Sequence, residues 1–210
     1  MNKSTNQETI GFYDVRLVCG AAPSIGCGSR AKPLLLDLER QATINEAWLN
    51  RIGTIVAIVW RDRARMEEVG KPVFKRHDIQ YTERRKDSHT TESFRTAGAW
   101  LRGVEVDRLS REETREIAEA SVNSARKERL ISVQEAAQIK SDIEAYFLQE
   151  LVTLRTKQEL LEDTQGKFPQ AVLNIYEKHL GTERMAEVRA HGIQDPFNRT
   201  DRDETSNCCP

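Results

Sequence analysis

The chain has 210 residues, 32 of them Lys or Arg and 33 Asp or Glu, which leaves a formal charge of −1. With 38% hydrophobic and 31% charged residues it reads as a helix-rich chain with solvated faces, and its near-neutral charge argues against a strongly basic nucleic-acid binder. No apolar run approaches the roughly 20 residues that span a bilayer, and the opening MNKSTNQETIGF lacks the apolar centre of a signal peptide, so we expect a cytoplasmic protein engaging neither nucleic acid nor membrane.

In chain order, FYDVRLVC (12–19) is rich in strand formers and runs into a glycine-rich loop from Gly20 to Ser29. Residues 30–51 follow with near-helical spacing of Leu34, Leu35, Leu38, Ala42, Trp48 and Leu49. Ser29 is the expected cap and Pro33 falls in the expected first turn; residues 43–45 threaten a break. TIVAIVW (54–60) is continuously apolar and β-branched, as in a central strand buried on both faces. Strand, loop, helix and strand make a βαβ unit with a right-handed crossover. Residues 63–77 read as helix interrupted at Gly70–Pro72, 79–83 as a short strand, 84–92 as a loop and 99–106 as an edge strand.

From Ser110 the pattern is helical. Ser110 with Glu113, and Ser132 with Glu135, match the capping box, in which Ser and Glu satisfy each other's free N–H groups. The second box opens a long amphipathic helix over 133–162, with Ile139, Ile143, Phe147, Leu151 and Leu154 on one stripe. Such a stripe must pack on something, and a second copy in a homo-oligomer or a partner protein is the expectation. Pro169 opens another helix with Val172, Leu173, Tyr176 and Leu180 inward and Gly181 as its stop; a last helix covers 183–191. The expectation is a mixed α/β (α+β) chain: a βαβ-containing sheet layer at 10–106, helices at 107–192, and a disordered tail at 193–210 ending in Cys-Cys-Pro.

The chemistry lies in the cysteines. Cys19 ends the first strand and Cys27 precedes the first helix, where free N–H groups, the helix dipole and nearby Arg30 favour a thiolate. Gly20, Gly26 and Gly28 permit positive φ and a tight fold that brings both sulfurs to one mouth. A thiolate pair suits a soft ion such as zinc, copper(I), mercury or trivalent arsenic, and the same thiols serve redox chemistry. Cys208 and Cys209 sit in a polar tail with nothing to bury them, and adjacent thiols hold a soft metal jointly. Burial as small side chains in a tight turn competes for Cys19 and Cys27, because free cysteine is among the most buried residue types.

The Cys208–Cys209 pair resembles the paired-cysteine tail of mercuric reductases and the adjacent cysteines of arsenic-handling proteins; the resemblance covers these two residues, and no flavin-binding glycine fingerprint accompanies it. The strand–thiol-loop–helix–strand order is similar, in topology alone, to small heavy-metal-associated domains, which usually carry C-x-x-C. The order also resembles cysteine phosphatases and arsenate reductases, but these require C-x5-R, and Ile25 takes the arginine position after Cys19.

A second use of the loop is an anion nest of Gly26, Gly28, Ser29 and Arg30, which would make the protein an enzyme for an anionic substrate bound at Gly20–Ser29. A third reading is a non-catalytic helical interaction protein. His77, His89, His179 and His191 are not spaced as metal pairs, and Trp48, Trp60 and Trp100 read as core anchors. The leading expectation is thiol-based binding of a soft metal or metalloid by Cys19, Cys27, Cys208 and Cys209.

Overall fold

The computed structural model describes residues 9–20, 22–61, 66–85, 87–96, 98–153, 158 and 163–190. Its elements in order are β1 (Thr9–Val15), α1 (Gly28–Glu39), β2 (Ile44–Asn50), β3 (Ile55–Trp60), α2 (Lys71–Arg76), β4 (Tyr81–Arg84), α3 (Ser88–Ser93), β5 (Trp100–Arg102), α4 (Asp107–Lys127), α5 (Val133–Thr153) and α6 (Phe168–Ala190). Turns of π-helix, Met66–Gly70 and Asp163–Lys167, lead into α2 and α6. The five strands form one sheet in the order β4-β1-β3-β2-β5, every neighbouring pair antiparallel. A mixed α/β chain with its sheet in the first half and helices in the second is what the pattern of the sequence anticipates.

Because β1 and β2 both run antiparallel to β3, they are parallel to each other with β3 between them. The chain order β1-α1-β2-β3-α2-β4 and the spatial order 4-1-3-2 are those of the split βαβ, or ferredoxin-like, arrangement. The βαβ unit therefore closes on β2, not on residues 54–60. Residues 44–50, expected as the end of a helix, alternate instead: Ile44, Ala47 and Leu49 are buried while Glu46 and Trp48 lean to the other face, with a bulge between Ile44 and Glu46. The break foreseen at 43–45 is the end of the helical region. β3 is central and buried along nearly its whole length, as its apolar run implies.

The Asn50 carboxamide oxygen accepts the N–H groups of Gly53, Thr54 and Ile55 at 3.1, 2.8 and 2.9 Å, which fixes the turn between β2 and β3. α1 begins one residue before the expected cap: Cys27 holds the N-cap position, Ser29 lies inside the helix, and Pro33 falls beyond its first turn. The reason is packing. A Cβ on Gly28 would stand 2.3 Å from Ser110 Oγ, so only glycine lets α1 start this close to α4.

α1 packs against β2 on one side and against α4 and α5 on the other. A continuous apolar cluster runs from Tyr13, Leu35 and Ile58 through Ile117 and Ile139 to Phe147 and Tyr176. The stripe Ile139, Ile143, Phe147 and Leu151 of α5 is buried in this cluster, against α4 and α6; Leu154 lies outside the described residues. The opposite face of the sheet carries a smaller cluster of Phe12, Ala57 and Trp100, closed by Phe94 just after α3. Part of the segment expected as a loop is thus a short helix, because Asp87 accepts the Thr90 N–H at 2.7 Å and caps it. Gly181, at φ +75°, interrupts α6 where a stop is expected, although helix resumes directly after it. No described helix is long and apolar enough to cross a membrane.

Candidate functional site

The loop between β1 and α1 is held as a narrow hairpin. Val18 and Gly26 form an isolated antiparallel bridge, the Cys19 N–H donates to Ile25 O at 2.9 Å, and the Cys27 N–H donates to Leu17 O at 2.6 Å. Residues lying diagonally across such a bridge share one face at a Cα separation of about 7–8 Å, which places Cys19 and Cys27 on the same side. Gly26 and Gly28 do not take positive φ, contrary to expectation; they serve close approach instead. Gly53, at φ +85°, has its backbone wedged between Leu17 and Gly26.

The hairpin puts both thiols on one side, but it is not the open mouth expected from the sequence. Cys19 and Cys27 are each 3% exposed. Sγ of Cys19 donates to Oε1 of Glu113 on α4 at 2.8 Å, and the Ala22 N–H donates to that sulfur at 3.3 Å. Glu113 is itself 4% exposed, and its second oxygen, Oε2, has no hydrogen-bond partner. A buried polar atom without a partner costs about 1–3 kcal/mol; Thr43 Oγ1 and Trp60 Nε1 share this condition, but Glu113 is the ionisable group among them.

Electrostatics raise both groups above their ordinary values. Burial, followed by the charge of Glu113 and the nearby Cys27, pushes the Cys19 thiol well above its ordinary value; the Ala22 N–H opposes this only in part. Burial likewise raises Glu113 to about 7, with the Glu116 charge adding and the Cys19 bond opposing. Desolvation outweighs everything else acting on Cys19, so this thiol is no low-pKa thiolate; the thiolate expected from the sequence concerns Cys27, at the start of α1.

α4 grips the loop through two carboxylates and the neighbouring β2–β3 turn through a third. Glu113 takes Cys19, Glu116 accepts from Ser24 Oγ at 2.8 Å, and Glu112 pairs with Arg51 beside the β2–β3 turn. At the other side of the loop Lys32 pairs with Asp107 at 2.7 Å. The expected box of Ser110 and Glu113 is absent, because α4 begins earlier, at Asp107, and both residues are buried inside it. Glu113 was thus visible in the sequence but assigned to the wrong partner. The signal that separates the two readings is its spacing: Leu109, Glu113 and Ile117 follow at four-residue intervals on the buried stripe, so the carboxyl faces inward.

Gly26, Gly28, Ser29 and Arg30, read as an anion nest, come together at the start of α1 beneath other elements. Gly28 abuts Ser110, Ser29 Oγ donates to Leu151 O at 3.1 Å, and Arg30 is 7% exposed. Cys208 and Cys209 lie outside the described residues. His77 and His179 meet Asp37 and Asp142 at 2.9 and 3.0 Å, and His89 is exposed. Among the described residues no three of His, Cys, Asp and Glu converge into a metal cage. Trp60 and Trp100 are core residues, and Trp48 is half-buried on the second face of the sheet.

Comparison with protein-family models, with curated proteins and with solved structures finds no match to this chain. The site's own geometry carries the functional argument.

Proposed function

We propose that this is a thiol-based binding protein for a soft metal ion or metalloid, with Cys19 and Cys27 as its core donors and the Cys208–Cys209 pair as auxiliary donors. The observation that supports this most is the buried Cys19–Glu113 contact, with the second carboxyl oxygen unpartnered. Two apolar side chains of similar volume would fill the same space at lower cost, so a desolvated thiol–carboxyl pair is better explained by something it binds than by packing. Its position supports the same reading: both thiols lie on the loop that joins the first strand to the first helix, on one side of a narrow hairpin.

The tail can take part on grounds of reach. Arg184 of α6 donates to Leu130 O at 3.0 Å, so the second half of α6 comes near the C-terminal end of α4, about 21 Å of helix from Glu113. The chain from Ala190 to Cys208 extends up to about 60 Å, more than twice that distance. A protonated Cys19 thiol exchanges its proton for a metal but resists casual oxidation, which favours binding over redox use.

Native mass spectrometry of the reduced full chain, with Zn(II) or trivalent arsenic added, tests the proposal. The expected result is one ion per chain, lost in a Cys19→Ser/Cys27→Ser variant whose circular dichroism is unchanged. A wild-type protein that retains neither ion overturns it.

A further inference from the structure

We propose that the outer groove between α4 and α5 is the docking site of the chain's own segment 193–197, with the Phe197 ring seated in the groove and Asp195 beside Arg126. No cysteine takes part.

The groove follows from helical spacing. Val122 and Arg126 share one face of α4, and Val133, Ala137 and Lys140 share one face of α5. Ion pairs of Arg115 with Glu144 and of Lys140 with Glu119 set the two helices antiparallel. The Lys140–Glu119 pair therefore closes one end of the groove, and Arg126 and Val133 stand at the other, beside the α4–α5 turn. Between them is a cavity of about 210 Å³, with Val122 and Ala136 buried along it. A single exposed valine is ordinary on a protein surface. Val133, however, is 76% exposed at the mouth of this cavity. Among the described residues the side chains of Arg126, Lys127 and Arg129 have no partner. An apolar cavity with unpaired cations beside it fits an apolar side chain carried on an acidic segment.

Reach selects the occupant. α6 runs back along α5 through the pairs Lys167–Glu150, Lys178–Asp142 and Arg184–Glu135, and Arg184 also donates to Leu130 O. The chain thus leaves α6 at the turn where the groove opens. Ala190 lies about 9 Å of helix beyond Arg184, and a helix is about 10 Å across. The seven residues from Ala190 to Phe197 extend up to about 24 Å, enough to return and cross α5. The stretch that follows Thr153 starts at the other end of α5, about 30 Å of helix from Val133. Composition agrees with reach. Ile193 and Phe197 are the large apolar side chains of residues 191–210, with Asp195 between them. Asp201, Asp203 and Glu204 outweigh Arg199 and Arg202, so the segment is opposite in sign to the end of α4, where Glu128 alone offsets the three cations.

NMR of the reduced full chain with labelled valine and alanine methyls tests the docking. The expected result is proton–proton contact between the Phe197 ring and the Val133 and Ala137 methyls, with Val133 resonances that shift in Phe197→Ser. Amide exchange at Gln194 and Asp195 should be at least threefold slower in wild type than in Val133→Asp, a change at an exposed position that leaves circular dichroism unaltered. Absence of the ring–methyl contact in wild type, or equal exchange in wild type and Val133→Asp, overturns the proposal. In a mixture of labelled and unlabelled chains, contact between chains and not within one overturns it in favour of a second copy as the occupant.

Discussion

Glu113 sits between Leu109 and Ile117 on the buried stripe of α4, where an ionised carboxylate has no water to solvate it. Its carboxyl titrates at about 7 in the folded protein against an ordinary 4.5, and burial is the main cause. The sign of the linkage follows from this. Below pH 4.5 both folded and unfolded chains carry the proton, and Glu113 adds no pH dependence. Between pH 4.5 and 7 the unfolded chain ionises first and binds fewer protons than the folded one, so stability falls as pH rises. Above pH 7 the whole penalty is present, on the order of 3 kcal/mol. Glu113→Gln lacks this titration. Urea unfolding at pH 5 and pH 8 should therefore show the metal-free wild type losing on the order of 3 kcal/mol more than the variant across that interval. Equal losses would mean that Glu113 is solvated in solution.

At the scale of elements, the segment from α3 to β5 seals the second face of the sheet. Phe94 meets Phe12, Trp48 and Trp100 edge-on, with ring centroids 5.6, 5.9 and 5.3 Å apart, and Arg95 lies over the Phe94 ring. Removing this ring opens the cluster. Phe94→Ala should cost roughly 2–4 kcal/mol in chemical unfolding and shift tryptophan emission to the red, since Trp48 and Trp100 gain water. Unchanged emission would show that the segment does not cover this face.

This element was hard to read in the sequence, because six residues of SHTTES carry no hydrophobic period, and the ring that matters comes after the helix ends. By contrast, the box at Ser132 and Glu135 was plain and is formed: the Ser132 N–H donates to Glu135 Oε2 at 2.8 Å, and the Glu135 N–H donates to Ser132 Oγ at 3.2 Å. Its twin at Ser110 failed on the same local pattern. Arg184 supports the first box by pairing with Glu135, whereas at Ser110 the packing of α1 and α4 buries both residues. A capping box is a local signal, and tertiary burial overrides it. The strand at 44–50 was missed for a related reason: Ala42, Trp48 and Leu49 fall near helical spacing by coincidence, while the alternation that matters is interrupted by a bulge.

In the whole molecule, α1 lies between the sheet and the α4–α5 layer and carries the thiol loop at its start. The sequence places Cys19 and Cys27 on that loop, but the partner of Cys19 is a carboxyl 94 residues away, a separation across which no local spacing rule operates. The apolar cluster crosses from the sheet half into the helical half, so the site is built where the two meet. We propose that Cys19 and Cys27 together hold one soft metal ion at this junction. X-ray absorption at the zinc edge of the reduced protein carrying one equivalent of Zn(II) is the direct test. Sulfur at about 2.3 Å is predicted in the shell, and its loss in Cys19→Ser/Cys27→Ser. A shell of oxygen and nitrogen alone would contradict this reading.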